Sequence, residues 1–181
     1  QSIELAEALG GDSVLILARQ DPAKSNAENA THWRNLIRAV IPEAEKRNIR
    51  LLIENVRATW LKKAEAMRVF IDAFQSPVVG AYFDTGNCIT WTEQPAEYWA
   101  RLLGKRIGKV DIKDRGHAEF GDPKTARKGA RGTDGGEVHW ENVRQQLAAA
   151  DYDGWATAEV AGGDRKRLAR MAEWMNLVLR R

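Results

Sequence analysis

The feature that most constrains this chain is a strict alternation of two hydrophobic periods along its length. Five short runs read as strands: Ser13 to Ala18 (SVLILA), Arg50 to Val56 (RLLIENV), Val78 to Asp84 (VVGAYFD), Ile107 to Ile112 (IGKVDI) and Trp155 to Val160 (WATAEV). SVLILA, continuously apolar, has the pattern of a strand buried on both faces. Between the runs lie stretches with helical spacing: Ser2 to Leu9, closed by Gly10-Gly11; about Thr31 to Arg47, with Thr31 as N-cap and Pro42 as a kink; Lys63 to Phe74; Pro95 to Leu103; Trp140 to Ala150; and Arg165 to Arg181. Arg19 to Ala30 reads as a polar loop. Asp114 to Glu137, rich in Gly and charge, has no apolar period, and a loop of that length inside a compact domain is usually functional or disordered. Five strands joined by helical crossovers require a parallel sheet with helices packed on it. Both an open doubly wound sheet and part of a (β/α)8 barrel meet that requirement. The 181 residues favour the open sheet, because a complete barrel takes about 250.

Composition narrows the function classes. The 28 Lys and Arg are interleaved with 25 Asp and Glu, and the net charge of +3 describes a solvated surface rather than a nucleic-acid footprint. With 44% hydrophobic and 29% charged residues, the chain has the balance of one folded domain over residues 1–181. Cys88 stands alone, which excludes an internal disulfide and every multi-cysteine metal site. No apolar run approaches the roughly 18 residues of a membrane span. The expected partner is therefore a small molecule, in a chain that is cytoplasmic by default and whose state, monomer or homo-oligomer, is left open.

Acidic residues mark the strand ends. Glu54, Asp84, Asp111 and Glu159 each fall at or near the end of a strand, and in a parallel sheet all these ends lie on one edge. Acidic residues at such positions also serve as helix N-caps or solvated loop residues. Four at corresponding positions, however, raise one another's pKa unless a cation neutralises them, and a divalent ion is the usual solution.

At these residues the sequence resembles the sugar-phosphate isomerase/epimerase family with the xylose isomerase-like TIM barrel, and within it the L-ribulose or L-xylulose 5-phosphate 3-epimerase branch. The resemblance rests on LLIENV (51–56), VVGAYFDTGN (78–87), YWARLLGKRIGKVDIKD (98–114), GGEVHW (135–140) and YDGWATAEV (152–160). It implies a (β/α)8 barrel of which this chain holds the C-terminal five strand-helix units, the three N-terminal units being absent, and therefore a partial sequence. It implies metal ligands at Glu54, Asp84, Asp111 and Glu159, with Glu54 and Glu159 also the pair that removes and returns a proton beside a ketone through a metal-stabilised enediolate. Asn87, three residues after Asp84, is a candidate for hydrogen bonding to substrate; Lys113, Arg115 and His117, just beyond Asp111, are candidates for meeting a phosphate or sugar hydroxyl, and Trp60 and Trp91 for an apolar wall beside a sugar or sugar phosphate.

The chain departs from that pattern at Asp111, where the family usually carries His. An all-oxygen ligand set favours Mn2+ or Mg2+ over Zn2+ or Co2+. Among His32, His117 and His139, His117 is the best placed substitute for the missing imidazole. The leading expectation is a metal-dependent epimerase or isomerase of a ketose or ketose phosphate. The alternatives are a keto-sugar lyase, dehydratase or glycoside-cleaving enzyme on the same site, and a non-catalytic sugar-binding remnant.

Overall fold

The computed structural model describes residues 1–92, 94–115 and 136–179. The chain runs α1 (Ser2–Ala8), β1 (Ser13–Ile16), α2 (Asn26–Arg47), β2 (Arg50–Glu54), α3 (Ala64–Asp72), β3 (Val79–Asp84), α4 (Thr85–Trp91), α5 (Ala96–Leu103), β4 (Ile107–Ile112), α6 (Trp140–Ala149), β5 (Ala156–Ala158) and α7 (Arg165–Leu179). All strands are parallel, in the order β1-β2-β3-β4-β5. Crossovers between parallel strands are right-handed, so an order without reversal places every connecting helix on the same face. A doubly wound sheet needs a reversal of strand order. The topology is therefore a five-stranded half-barrel rather than the open sheet that chain length favours.

Side chains alternate across this wall. The outer face carries Leu51, Ile53, Val79, Ala81, Phe83, Val110 and Ile112, all buried in one core with Met67, Phe70, Trp99, Leu103 and Leu147 from the helices. The inner face carries Arg50, Leu52 and Glu54 on β2, and Gly80, Tyr82 and Asp84 on β3. β1 is the exception to the expectation of burial on both faces, since Leu15 is exposed. At the N-terminal end of the inner face Arg50 lies across two glycines. A Cβ on Gly80 or Gly108 would fall 2.8 or 2.7 Å from its guanidinium nitrogens. Small residues at both positions thus make room for one large cation.

α2, α4 and β5 depart further from the sequence expectation. α2 begins at Asn26, not Thr31, because Ser25 caps it, its Oγ accepting the Glu28 N–H while the Glu28 carboxylate accepts the Ser25 N–H. This capping box lies in the stretch read as loop, and Pro42 sits inside the uninterrupted helix. α4 has no apolar period and is set instead by its cap, the Asp84 side chain accepting the Asn87 N–H at 2.8 Å. β5 is only three residues long, so Glu159 stands just past it. No helix among the described residues is long and apolar enough to cross a membrane.

Candidate active site

Parallel pairing brings the ends of β2, β3, β4 and β5 to one edge. Glu54 ends β2 and Asp84 ends β3, Asp111 pairs in register with Asp84, and the Glu159 N–H extends the β4–β5 ladder to the Ile112 carbonyl at 3.1 Å. One carboxylate oxygen from each of Glu54, Asp84 and Glu159 lies within 4.8 Å of the others. Asp111 stands beside this trio rather than in it, its Oδ1 accepting from the Tyr82 hydroxyl at 3.1 Å. Three of the four expected ligands thus come together.

The second feature of the cluster is Lys113. Its ammonium is buried, 2.8 Å from Asp84 Oδ2 and 2.5 Å from Glu159 Oε2. The lysine expected to reach substrate is therefore tied to two of the carboxylates. Its backbone is clamped: the Thr85 hydroxyl donates to the Lys113 carbonyl at 2.8 Å, and the Lys113 N–H donates to Thr85 Oγ1 at 3.2 Å. Gly86 permits this approach, because a Cβ there would meet the Asp114 carbonyl at 2.3 Å and Lys113 Cγ at 2.5 Å.

Asp84 is positioned by Asn55, whose Oδ1 accepts the Asp84 N–H at 2.7 Å and whose Nδ2 donates to the Asp84 carbonyl at 2.8 Å. Where β2 ends, this side chain continues the pairing that backbone made before it. Asn87, on the first turn of α4, donates from Nδ2 to Glu54 Oε1 at 2.8 Å, and Trp91 Nε1 donates to Asn87 Oδ1 at 3.2 Å. The Arg57 guanidinium sits 5.3 Å from the centre of the Trp91 ring. Trp91 is thus joined to the site through Asn87. Trp60 packs below the loop instead, its ring edge-on to Phe70 at 4.8 Å.

Arg115 is engaged by Glu137 in two hydrogen bonds of 2.7 Å. The Asp114 carboxylate accepts the Glu137 N–H at 2.9 Å and the Val138 N–H at 3.4 Å, which ties the end of β4 to the approach to α6. His117 lies outside the described residues. His32 is on α2, edge-on to Trp33. His139 Nδ1 lies 3.0 Å from Glu97 Oε1.

The electrostatics show a deficit of positive charge. Burial, with Glu159 and Asp111 adding repulsion, pushes the Glu54 carboxyl up to about 7. Burial likewise raises Asp84 to about 8 against the opposing pull of Lys113, and Asp111 to about 6. One ammonium does not compensate four carboxylates in this setting. A hard divalent cation would supply the missing charge, and the oxygen donors of Glu54, Asp84 and Glu159 suit one.

Asn55, Tyr82 and Asp114 are the supporting residues that the strand-end pattern misses. Tyr82 is legible as the inner-face residue two before Asp84. Asn55 directly follows Glu54, but its role depends on where β2 stops.

Solved structures share the fold. The 3-keto-D-glucoside 4-epimerase YcjR from E. coli superposes with a TM-score of 0.73 at 14% identity, over 97% of this chain and 66% of that one. An L-ribulose 3-epimerase gives 0.68 at 18% identity, over 94% and 56%. The IOLI protein, solved with a zinc atom, gives 0.74 at 11% identity, over 98% and 66%. A curated relative, 3-oxo-isoapionate decarboxylase of Pectobacterium atrosepticum, is 35% identical over 79 residues, which are 44% of this chain and 27% of that protein. The chain spans about a quarter of that relative and less than two thirds of these solved proteins. Its sequence matches the xylose isomerase-like TIM barrel family over residues 1–178, and the chain belongs to that family.

Proposed function

We propose that the protein is a metal-dependent epimerase or isomerase of a ketose or ketose phosphate, with Glu54 and Glu159 as its proton-transfer pair. The observation that carries this reading is the convergence of these two glutamates, from β2 and from the end of β5, on either side of Asp84 with carboxylate oxygens within 4.8 Å. Inversion beside a ketone needs a base on one face of the carbon and an acid on the other. One carboxylate takes the proton, the electron pair of the broken C–H bond moves toward the carbonyl oxygen, and the other carboxyl returns a proton to the opposite face. In the metal-free protein burial holds Glu54 near 7, and a cation on its carboxylate would lower this and favour the ionised form that takes the proton. Asn87 fixes the Glu54 carboxylate through its 2.8 Å hydrogen bond, leaving the other oxygen to act. A divalent cation on Glu54, Asp84 and Glu159, with Asp111 beside them, supplies polarisation of the ketone when bound. The all-oxygen donor set favours Mn2+ or Mg2+ over Zn2+ or Co2+.

The test is incubation with a panel of ketoses and ketose phosphates in D2O with Mn2+. The expected product is an epimer carrying one deuterium at the inverted carbon, with Glu54→Gln and Glu159→Gln each slowing it by about 100-fold or more. Epimer formed without deuterium, or unchanged rates in both variants, refutes the assignment. The match to 3-oxo-isoapionate decarboxylase favours one second reading, a lyase acting on a 3-oxo sugar acid. Carbon dioxide release without epimer formation would decide for it.

A further inference from the structure

We propose that Lys113 is an internal counter-cation that fills the Glu54–Asp84–Glu159 site in the metal-free protein and leaves Asp84 and Glu159 when a divalent cation enters. The proposal rests on the metal site proposed above and adds a residue that sets its affinity. Lys113 is only 2% exposed, and a lysine so buried is retained only where carboxylates compensate it. Its ammonium takes one oxygen from each of two candidate ligands, Asp84 Oδ2 and Glu159 Oε2. The placement is built in rather than a chance excursion of a surface lysine. Thr85 clamps the Lys113 backbone on both sides, and the bare Cα of Gly86 lets the lysine stem pass into the cluster.

An ammonium and a divalent ion drawn to the same oxygens oppose one another, because three positive charges within about 4 Å repel strongly in a site of low dielectric. Metal entry therefore requires the lysine head to move. The side with room for it is that of Glu159, whose side chain is 41% exposed while that of Asp84 is 0% exposed. Without the metal, the same ammonium keeps the carboxylates from driving the strand ends apart. Lys113 thus lends the empty site stability and opposes the metal by the same interaction.

Calorimetric titration of the whole chain with Mn2+ tests this without any substrate. Lys113→Met is expected to bind Mn2+ at least about tenfold more tightly than the wild type. Its metal-free form should melt at a lower temperature and recover on addition of Mn2+. A second measurement uses the wild type alone: reductive methylation mapped by mass spectrometry should leave Lys113 unmodified in the metal-free protein and modify it with Mn2+ bound. Equal or weaker Mn2+ binding by Lys113→Met, or unchanged labelling of Lys113 on Mn2+ binding, overturns the proposal and leaves the metal site standing. Absence of Mn2+ binding by both proteins overturns the metal site itself, and this proposal with it.

Discussion

Replacing Asn55 with Leu should cost the protein about 2–4 kcal/mol, because it removes the one side chain that satisfies both backbone groups of Asp84. The magnitude follows from what is left behind. The Asp84 N–H, bonded to Asn55 Oδ1 at 2.7 Å, would remain buried without an acceptor, a loss of about 1–3 kcal/mol. The Asp84 carbonyl keeps its weak 3.2 Å contact from Cys88 Sγ, so losing the Asn55 donor adds only about 1 kcal/mol. Leu matches Asn in shape, so no cavity term of note is added. Urea unfolding followed by circular dichroism measures the loss, and an unchanged slope with denaturant would show that the comparison is between the same two states. Because Asp84 also caps α4 and pairs with Lys113, the variant should bind Mn2+ more weakly as well. A stability loss under about 0.5 kcal/mol would refute the reasoning, since it would mean that the Asp84 backbone is satisfied without Asn55.

Gly86→Ala should destabilise the fold by about 1–3 kcal/mol, because its Cβ meets the Asp114 carbonyl at 2.3 Å; wild-type stability in urea would show that β4 and α4 are not so closely seated. In the metal-free protein, Glu54, Asp84 and Asp111 titrate at about 7, 8 and 6, above their ordinary values. The folded state then binds more protons than the unfolded state between the ordinary carboxylate range and about 8, so stability should fall as pH rises through that window. Melting temperatures from pH 4 to 9 should show this fall and its flattening by Mn2+, and a metal-free melting temperature that rises with pH would contradict it. Asp111→His should move the preference of the site from Mn2+ toward Zn2+. Competition titration measures this, and an unaltered ratio would mean that Asp111 takes no part in holding the ion.

The parts of this fold that were legible in the sequence are those set by period. The strand runs and the amphipathic helices are local, and Glu54, Asp84 and Asp111 fall at their ends because strand length and chain direction fix where an end lies. What escaped was set by single polar contacts. The Ser25–Glu28 box moves the start of α2 back by about one and a half turns, and α4 exists because one aspartate caps it. Lys113 is the clearest case. From sequence it follows a strand end and reads as a loop cation, whereas its burial comes from Thr85 and Gly86 on another element. No periodicity carries that information. Likewise Trp60 and Trp91 look equivalent as loop aromatics, and only the seat of Phe70 against one and Asn87 against the other tells them apart.

The arginine lying across Gly80 and Gly108 has a consequence for depth. With Arg50 at the floor of the inner face and the acidic residues at its rim, the wall is charge-polarised along the barrel axis. A small cation approaching from the rim is drawn in by the carboxylates and repelled by the guanidinium below them. A cation held by those carboxylates, as proposed above, would thus be opposed from below by a fixed positive charge rather than stopped by a ligand.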